Sequence, residues 1–345
     1  AGPREIDVRG PGHRDARTAG VPPGGEERRT LRFRRAVIAT GGRPAAPPIP
    51  GLADTGYLTN ETIFDLEVRP ARLLVIGAGP IGCELAQAFA LFGSDVSVVD
   101  VADRPLPRED ADASAIVRQH LEADGVRFRL GTTLLHVAPG DADAILVATG
   151  RTPSVDGLNL EAAGIRSGPE GVVVNDRMQT GNPRVFAAGD VASPYKFTHA
   201  ADAMARLVVQ NALFFGRRRA SALVVPWCTY TMPEVARVGD IGGPAVTVSL
   251  ADVDRAVVDD ATAGFVRVHH DRGRIRGCTI VAPHAGDLIG HVAHLMRIGG
   301  RLGDLSATVF PYPTYAEALR KAGDAYRRSL LTPAARWLLR KYFRR

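Results

Sequence analysis

Three glycines, Gly77, Gly79 and Gly82, followed by an acid at Asp100, are the strongest chemical signal in the chain. They lie in LLVIGAGPIGCELAQAFALFGSDVSVVD, residues 73–100. An apolar run precedes the glycines, a helix-period pattern (Leu85, Ala86, Phe89, Ala90, Phe92) follows, and a second apolar run ends at Asp100. That order is what a dinucleotide-binding strand–helix–strand unit requires. Gly77 permits the tight turn, Gly79 lets backbone approach a pyrophosphate, Gly82 lets helix touch strand, and the helix N-terminus faces the anionic phosphates. Asp100 can accept hydrogen bonds from both hydroxyls of an adenine ribose, whereas a 2′-phosphate there would be repelled; Val101 and Ala102 next to it supply no cation. The spacing therefore predicts NAD(H) in preference to NADP(H).

The elements around this unit follow from periodicity. Helix 80–92 and strand 95–100 lead to a helix near 110–124, a short strand 126–130 and a strand 144–149 ending at Gly150. The phrase ATGGRP at 39–44, containing Gly41, recurs as ATGRTP at 148–153, containing Gly150, which predicts two related nucleotide-binding domains joined in series. Before the first phrase, residues 1–35 read as short strands with turns at 11–12 and 22–25. The proline-rich stretch 44–50 reads as a linker, and 59–68 as a short helical segment. Beyond 153 come loops and strands, then RVFAAGDVA at 184–192 and a helix from about His199 to Phe215. From Ala222 the pattern becomes strand-rich, with helices near 285–299 and 314–328, as in an α+β domain.

A chain of 345 residues calls for two or three domains, and 45% hydrophobic with 23% charged residues is an ordinary globular balance. No apolar run reaches the length of a membrane span. Cys83, Cys228 and Cys278 are too far apart in sequence to form a local redox or metal pair, and a cytoplasmic, reducing location is the expectation. Of the formal net charge of +6, seven positive charges fall in the acid-free segment 327–345, leaving the rest near neutral. A nucleic-acid-binding surface is thereby disfavoured. That tail, ending LTPAARWLLRKYFRR, reads preferentially as a solvated helix whose Trp337, Leu338 and Phe343 pack on their own domain; contact with acidic lipid or an acidic partner is the lesser reading. His284, His291 and His294 lack matched carboxylates or thiols, so no metal site is expected there.

Several phrases in order, VIATGGRP, LLVIGAGPIGCELA, ILVATGRTP, VFAAGDVA, PWCTYTMPEVARVG and FPYPTYAEA, resemble the class I pyridine nucleotide-disulfide oxidoreductases. That group includes dihydrolipoamide dehydrogenase, glutathione reductase and mercuric reductase; GPIGCELAQAF, FTHAAD and Tyr312-Pro313-Thr314 are most similar to the mercuric-reductase-like branch. The resemblance implies an α/β fold: FAD/NAD(P)-binding Rossmann-like domains, one N-terminally truncated, plus a C-terminal α+β dimerisation domain. The implied boundaries are 1–65 and 156–222 for the two parts of the FAD-binding domain, 66–155 for the NAD-binding domain and 223–345 for the dimerisation domain with its basic tail. It also implies FAD and NADH as cofactors, a homodimer, and a small-molecule electron acceptor. By the same resemblance Gly189 and Asp190 contact the flavin's ribityl and pyrophosphate region. Thr198 and His199 bring backbone to the flavin ring, although a plain helix N-cap by Thr198 is an equal local reading. Glu84 matches a glutamate that pairs with a lysine beside the flavin, and Pro80 stands where some members place an aromatic gate.

The departures from the family pattern matter as much. A complete member begins with a strand, its own glycine triplet and a C-x-x-x-x-C pair; this sequence, starting at Ala1 and not at an initiator Met, has none of them, as a fragment, an incomplete gene model or a decayed copy would. Residues 137–143 replace a β-meander with a short turn, and the segment after VARVG is short. Tyr312 replaces the acid/base His of the H-P-T-x-x-E motif, in which Glu317 matches the orienting Glu; a phenol is a poor base at neutral pH, which disfavours lipoamide or glutathione reduction. The expected function is hydride transfer from NADH to FAD and on to an acceptor. The alternative is a non-catalytic dinucleotide-binding or dimerisation module that holds no flavin.

Overall fold

A computed structural model of the chain describes residues 5–8 and 29–343. It separates into two units, residues 1–43 with 151–223 and residues 44–150 with 224–345.

In the first unit, β1 (Glu5–Val8) pairs antiparallel with β2 (Arg29–Arg32). The turns expected at 11–12 and 22–25 lie outside the described residues. The apolar run β3 (Ala36–Ile38) pairs in parallel with β12 (Val185–Ala187), and β4 (Gly42–Pro44) lies beside β9 (Arg151–Pro153). Ser154 N–H donates to Gly41 O at 2.9 Å beside that pair. The small hairpin β10 (Ser167–Gly168) and β11 (Gly171–Val172) covers the core formed by Leu160, Ile165, Val172, Val185, Ala187 and Val191. Gly189 follows β12 after Ala188, and α3 (Thr198–Leu213) buries Ala200, Met204, Leu207 and Val208, a one-face spacing.

The second unit holds two sheets. β5 (Arg72–Ile76), β6 (Asp95–Val99), β7 (Arg127–Arg129) and β8 (Ala144–Val147) form a parallel sheet in the order β7-β6-β5-β8. The near-continuous apolar composition of β5, β6 and β8 is that of parallel strands buried on both faces. Their connections are α1 (Pro80–Leu91) between β5 and β6 and α2 (Ala111–Ala123) between β6 and β7. Leu73, Val75, Val96, Val98, Leu121 and Leu146 form the interior. In the 59–68 stretch a short 3-10 turn spans Ile63–Asp65.

The second sheet is antiparallel in the order β13-β14-β17-β16-β15, built from β13 (Pro226–Thr229), β14 (Glu234–Gly239), β15 (Ala245–Ser249), β16 (Phe265–Asp271) and β17 (Arg274–Ala282). Helices α4 (Asp254–Val258), α5 (Ala285–Ile298), α6 (Leu302–Ala307) and α7 (Glu317–Ser329) complete the α+β arrangement. β14, α4 and α6 were not anticipated from periodicity, being short or lacking a strong alternation. Val235, Phe265 and Val281 of this sheet join the core that surrounds α1 and α2, so the two sheets share apolar packing.

The tail requires a correction. α8 (Pro333–Phe343) forms, but none of its residues is buried: Trp337 is 62%, Leu338 61% and Phe343 79% exposed. The expected packing of these three on their own domain is absent because the helix offers its apolar side chains to no surface of the unit. No helix among the described residues is long and apolar enough to cross a membrane.

Candidate functional site

The β5–α1 turn is fixed from several directions. Gly77 adopts φ +112° and donates its N–H to Val99 O at 2.9 Å; a Cβ on it would stand 2.5 Å from Ala148 O. A Cβ on Gly82 would stand 1.9 Å from Gly77 O. Both positions therefore exclude any side chain for packing reasons alone. Gly79 is different: it is the N-cap of α1, makes no side-chain cap, and nothing lies within 4 Å of where its Cβ would be. Pro80 at the first helical position contributes no N–H, and the helix opens with its positive dipole end at this bare glycine. A phosphate at this place would meet backbone only.

Asp100, at the end of β6, ties this turn to the strand end. Its Oδ2 accepts from Ala78 N–H at 2.6 Å and its Oδ1 from Ala102 N–H at 2.8 Å. Leu106 N–H donates to Ala78 O at 2.9 Å, closing the loop after β6 against the same turn. Each carboxylate oxygen keeps a second lone pair for an external hydroxyl. After β8, the neighbour of β5 in the sheet, Gly150 adopts φ +124° with open space around its missing Cβ, and its carbonyl accepts from Ala45 N–H at 2.9 Å.

Glu84, one turn into α1, is half-buried and its Oε1 accepts from Tyr230 N–H at 2.8 Å. Burial raises its pKa, and that hydrogen bond opposes the rise. Glu84 thus links α1 to the chain after β13. Tyr312 is 70% exposed and donates its hydroxyl to Asp254 Oδ2 at 2.9 Å, which, with that carboxylate's charge, raises the phenol's pKa. Glu317 is buried; its Oε1 lies 3.0 Å from Arg320 and 3.4 Å from Lys321, while its Oε2 has no hydrogen-bond partner. Tyr312 and Glu317 consequently have separate polar partners, Asp254 for the one and the α7 cations for the other, in place of the orienting couple expected from the motif. Cys83 and Cys278 are buried and Cys228 is half-buried. Desolvation raises all three thiol pKa values, Cys83 to about 12. None is a thiolate at neutral pH. His284 caps α5 near the Tyr315 ring, and His291 meets the edge of Phe310.

In the first unit, Gly189 (φ +80°) and Asp190 stand at the end of β12, as a turn after a buried strand must. Arg151 Nε lies 3.1 Å from Asp190 Oδ2, and its Nη2 donates to Gly42 O. Lys196 Nζ donates to Asp190 O; desolvation lowers the lysine's pKa, and the Asp190 charge opposes that shift. A Cβ on Gly42 would stand 3.0 Å from Thr152 O and 3.4 Å from Asp190 Cβ, so the two glycine phrases close on the aspartate. Gly41 (φ +70°) has open space about its missing Cβ. Thr198 and His199 are exposed at the start of α3, where His199 stacks on Phe197 at 5.5 Å. Phe197, not Thr198, is the N-cap, which corrects the capping alternative: Thr198 already has helical backbone. Arg151 and Lys196 were not singled out from sequence. The signal for Arg151 was its place directly after Gly150 in a repeated phrase.

Comparisons with known proteins identify the family. Residues 12–205 match the family described as pyridine nucleotide-disulphide oxidoreductase, and residues 225–323 match its dimerisation domain. The mercuric reductase of Acidithiobacillus ferrooxidans is 36% identical over 331 residues, covering 89% of this chain and 60% of that protein. Dihydrolipoyl dehydrogenase 3 of Haloarcula marismortui is 30% identical over 335 residues, covering 87% of this chain and 70% of that protein. Among solved structures, the HOCl-induced flavoprotein disulfide reductase RclA from Escherichia coli superposes with a TM-score of 0.79 at 28% identity, covering 86% of this chain and 74% of that one. The chain spans about 60% of the length of the Acidithiobacillus reductase. With a glycine turn, a strand-end acid, a Gly-Asp turn and both family matches falling in the same order along the sequence, the chain belongs to the pyridine nucleotide-disulphide oxidoreductase family.

Proposed function

We propose that the chain is the NADH-binding and dimer-forming part of a flavin-dependent oxidoreductase that passes electrons from NADH to a small-molecule acceptor, in the manner of mercuric reductases. The observation that carries this reading is the α1 turn: Gly77 and Gly82 are closed by packing, while Gly79 is open and backbone-only. That asymmetry supports a diphosphate seated on the helix N-terminus. Asp100, already oriented by Ala78 and Ala102, holds the adenine ribose hydroxyls, and its charge repels a 2′-phosphate.

For FAD the fit is local. Gly189 and Asp190, held by Arg151 and Lys196, support the ribityl end, with Gly41 giving the backbone room to approach; Thr198 and His199 offer exposed polar groups at the start of α3. FAD, when bound, supplies a two-electron acceptor for the nicotinamide hydride. Glu84 holds the Tyr230 backbone in position, and burial raises its carboxyl pKa. Tyr312 keeps its proton at neutral pH because Asp254 accepts its hydroxyl, so it does not act as a base. Glu317 sets the charge of the first turn of α7 through Arg320 and Lys321. The match to the dimerisation domain supports a homodimer.

The second reading is a dinucleotide-binding or dimerisation module that holds no flavin, favoured by burial keeping Cys83, Cys228 and Cys278 as protonated thiols. Purified protein with a flavin absorbance band that reduces a dye acceptor with NADH supports the first reading. A colourless protein that still binds NADH supports the second.

A further inference from the structure

We propose that α8 is a membrane-surface helix that docks the protein onto anionic lipid headgroups. At about 100° per residue, Ala334, Leu338, Tyr342, Ala335, Leu339 and Phe343 fall on one half of the helix and Arg336 and Arg340 on the other. Every one of these side chains is accessible, since the helix buries no residue. Trp337 falls on the basic half, between Arg340 and Lys341, with Lys341 Nζ 5.2 Å from its ring centroid, so an aromatic and a cation are held together where a headgroup region would receive both. The apolar surface begins before the helix, at the exposed Leu330 and Leu331.

Charge decides which occupant covers this face. Segment 327–345 carries seven basic residues and no acid, whereas the rest of the chain is near neutral overall and has almost no net acidic charge to attract a second copy's tail. A lipid surface presents negative charge and an apolar layer side by side, which is the pairing this helix offers. Eleven residues make about 16 Å of helix, about half the hydrocarbon thickness, so the helix lies in the interface plane rather than crossing it. α8 also lies outside both segments that match the family.

The test is flotation of the full chain with phosphatidylcholine vesicles, with and without phosphatidylglycerol, alongside tryptophan emission. The expected result is co-flotation with the anionic vesicles only, weakened by salt, with a blue shift that Trp337→Phe removes and Trp227 does not supply. Arg340→Glu with Lys341→Glu lowers partitioning roughly tenfold or more, and Leu338→Ser with Phe343→Ser abolishes the shift. All four positions are exposed, so melting temperature is expected to stay at the wild-type value. No binding to anionic vesicles, equal binding to neutral ones, or a change of oligomeric mass in the serine variant without vesicle binding each overturns the proposal; the last identifies a second copy as the occupant.

Discussion

At the residue scale, the three glycines of one motif do different physical work. Gly82 has no room for a methyl group 1.9 Å from the Gly77 carbonyl, and both neighbours are backbone. Gly82→Ala is expected to destabilise the protein by about 1–3 kcal/mol through overpacking. A thermal melt of wild type and variant checks this, and unchanged stability would show that the helix–strand contact is looser than described. Asp100→Ala removes two backbone hydrogen bonds along with the ribose acceptor. NADH affinity is expected to fall about tenfold or more, with a smaller fall for NADPH, measured as paired titrations. These residues were legible in the sequence because strand, glycines, helix and acid are contiguous. The partners of Tyr312 and Asp190 were not: Asp254 is 58 residues from the tyrosine and Arg151 is 39 from the aspartate, separations that only folding closes.

At the element scale, α2 is anchored by charge at its first turn. Arg267 of β16 makes a two-pronged contact with Asp112 and lies 3.4 Å from Asp110. The Arg267 hydrogen bond lowers the pKa of Asp112 against a smaller desolvation effect. A carboxylate whose folded pKa lies below its unfolded value contributes stability that is complete above the unfolded value and is lost as pH falls through the folded one. Asp112→Asn should therefore cost stability at neutral pH and converge with wild type in acid, read from urea midpoints across pH. A constant difference across the range would remove the ion pair from the account. The helices and long strands here were readable from periodicity. β14, whose alternation is weak, and the five-residue α4 were not, since their place depends on cross-strand partners and packing.

At the scale of the whole molecule, the sequence pointed to serial nucleotide-binding domains followed by an α+β region, and the folded chain has a parallel sheet and an antiparallel sheet in its second unit. The tail was misjudged because amphipathicity reports which face is apolar, not what covers it. A homodimer predicts twice the chain mass of 36.7 kDa by light scattering, and a monomer would detach the dimerisation match from this chain's behaviour. The most direct test of the central claim is NADH titration of wild type and Gly79→Val, with melting curves to confirm that both are folded. Because nothing packs within 4 Å of the missing Gly79 side chain, the variant should stay stable and bind NADH at least about tenfold more weakly. A folded variant that binds NADH as tightly as wild type would contradict the account.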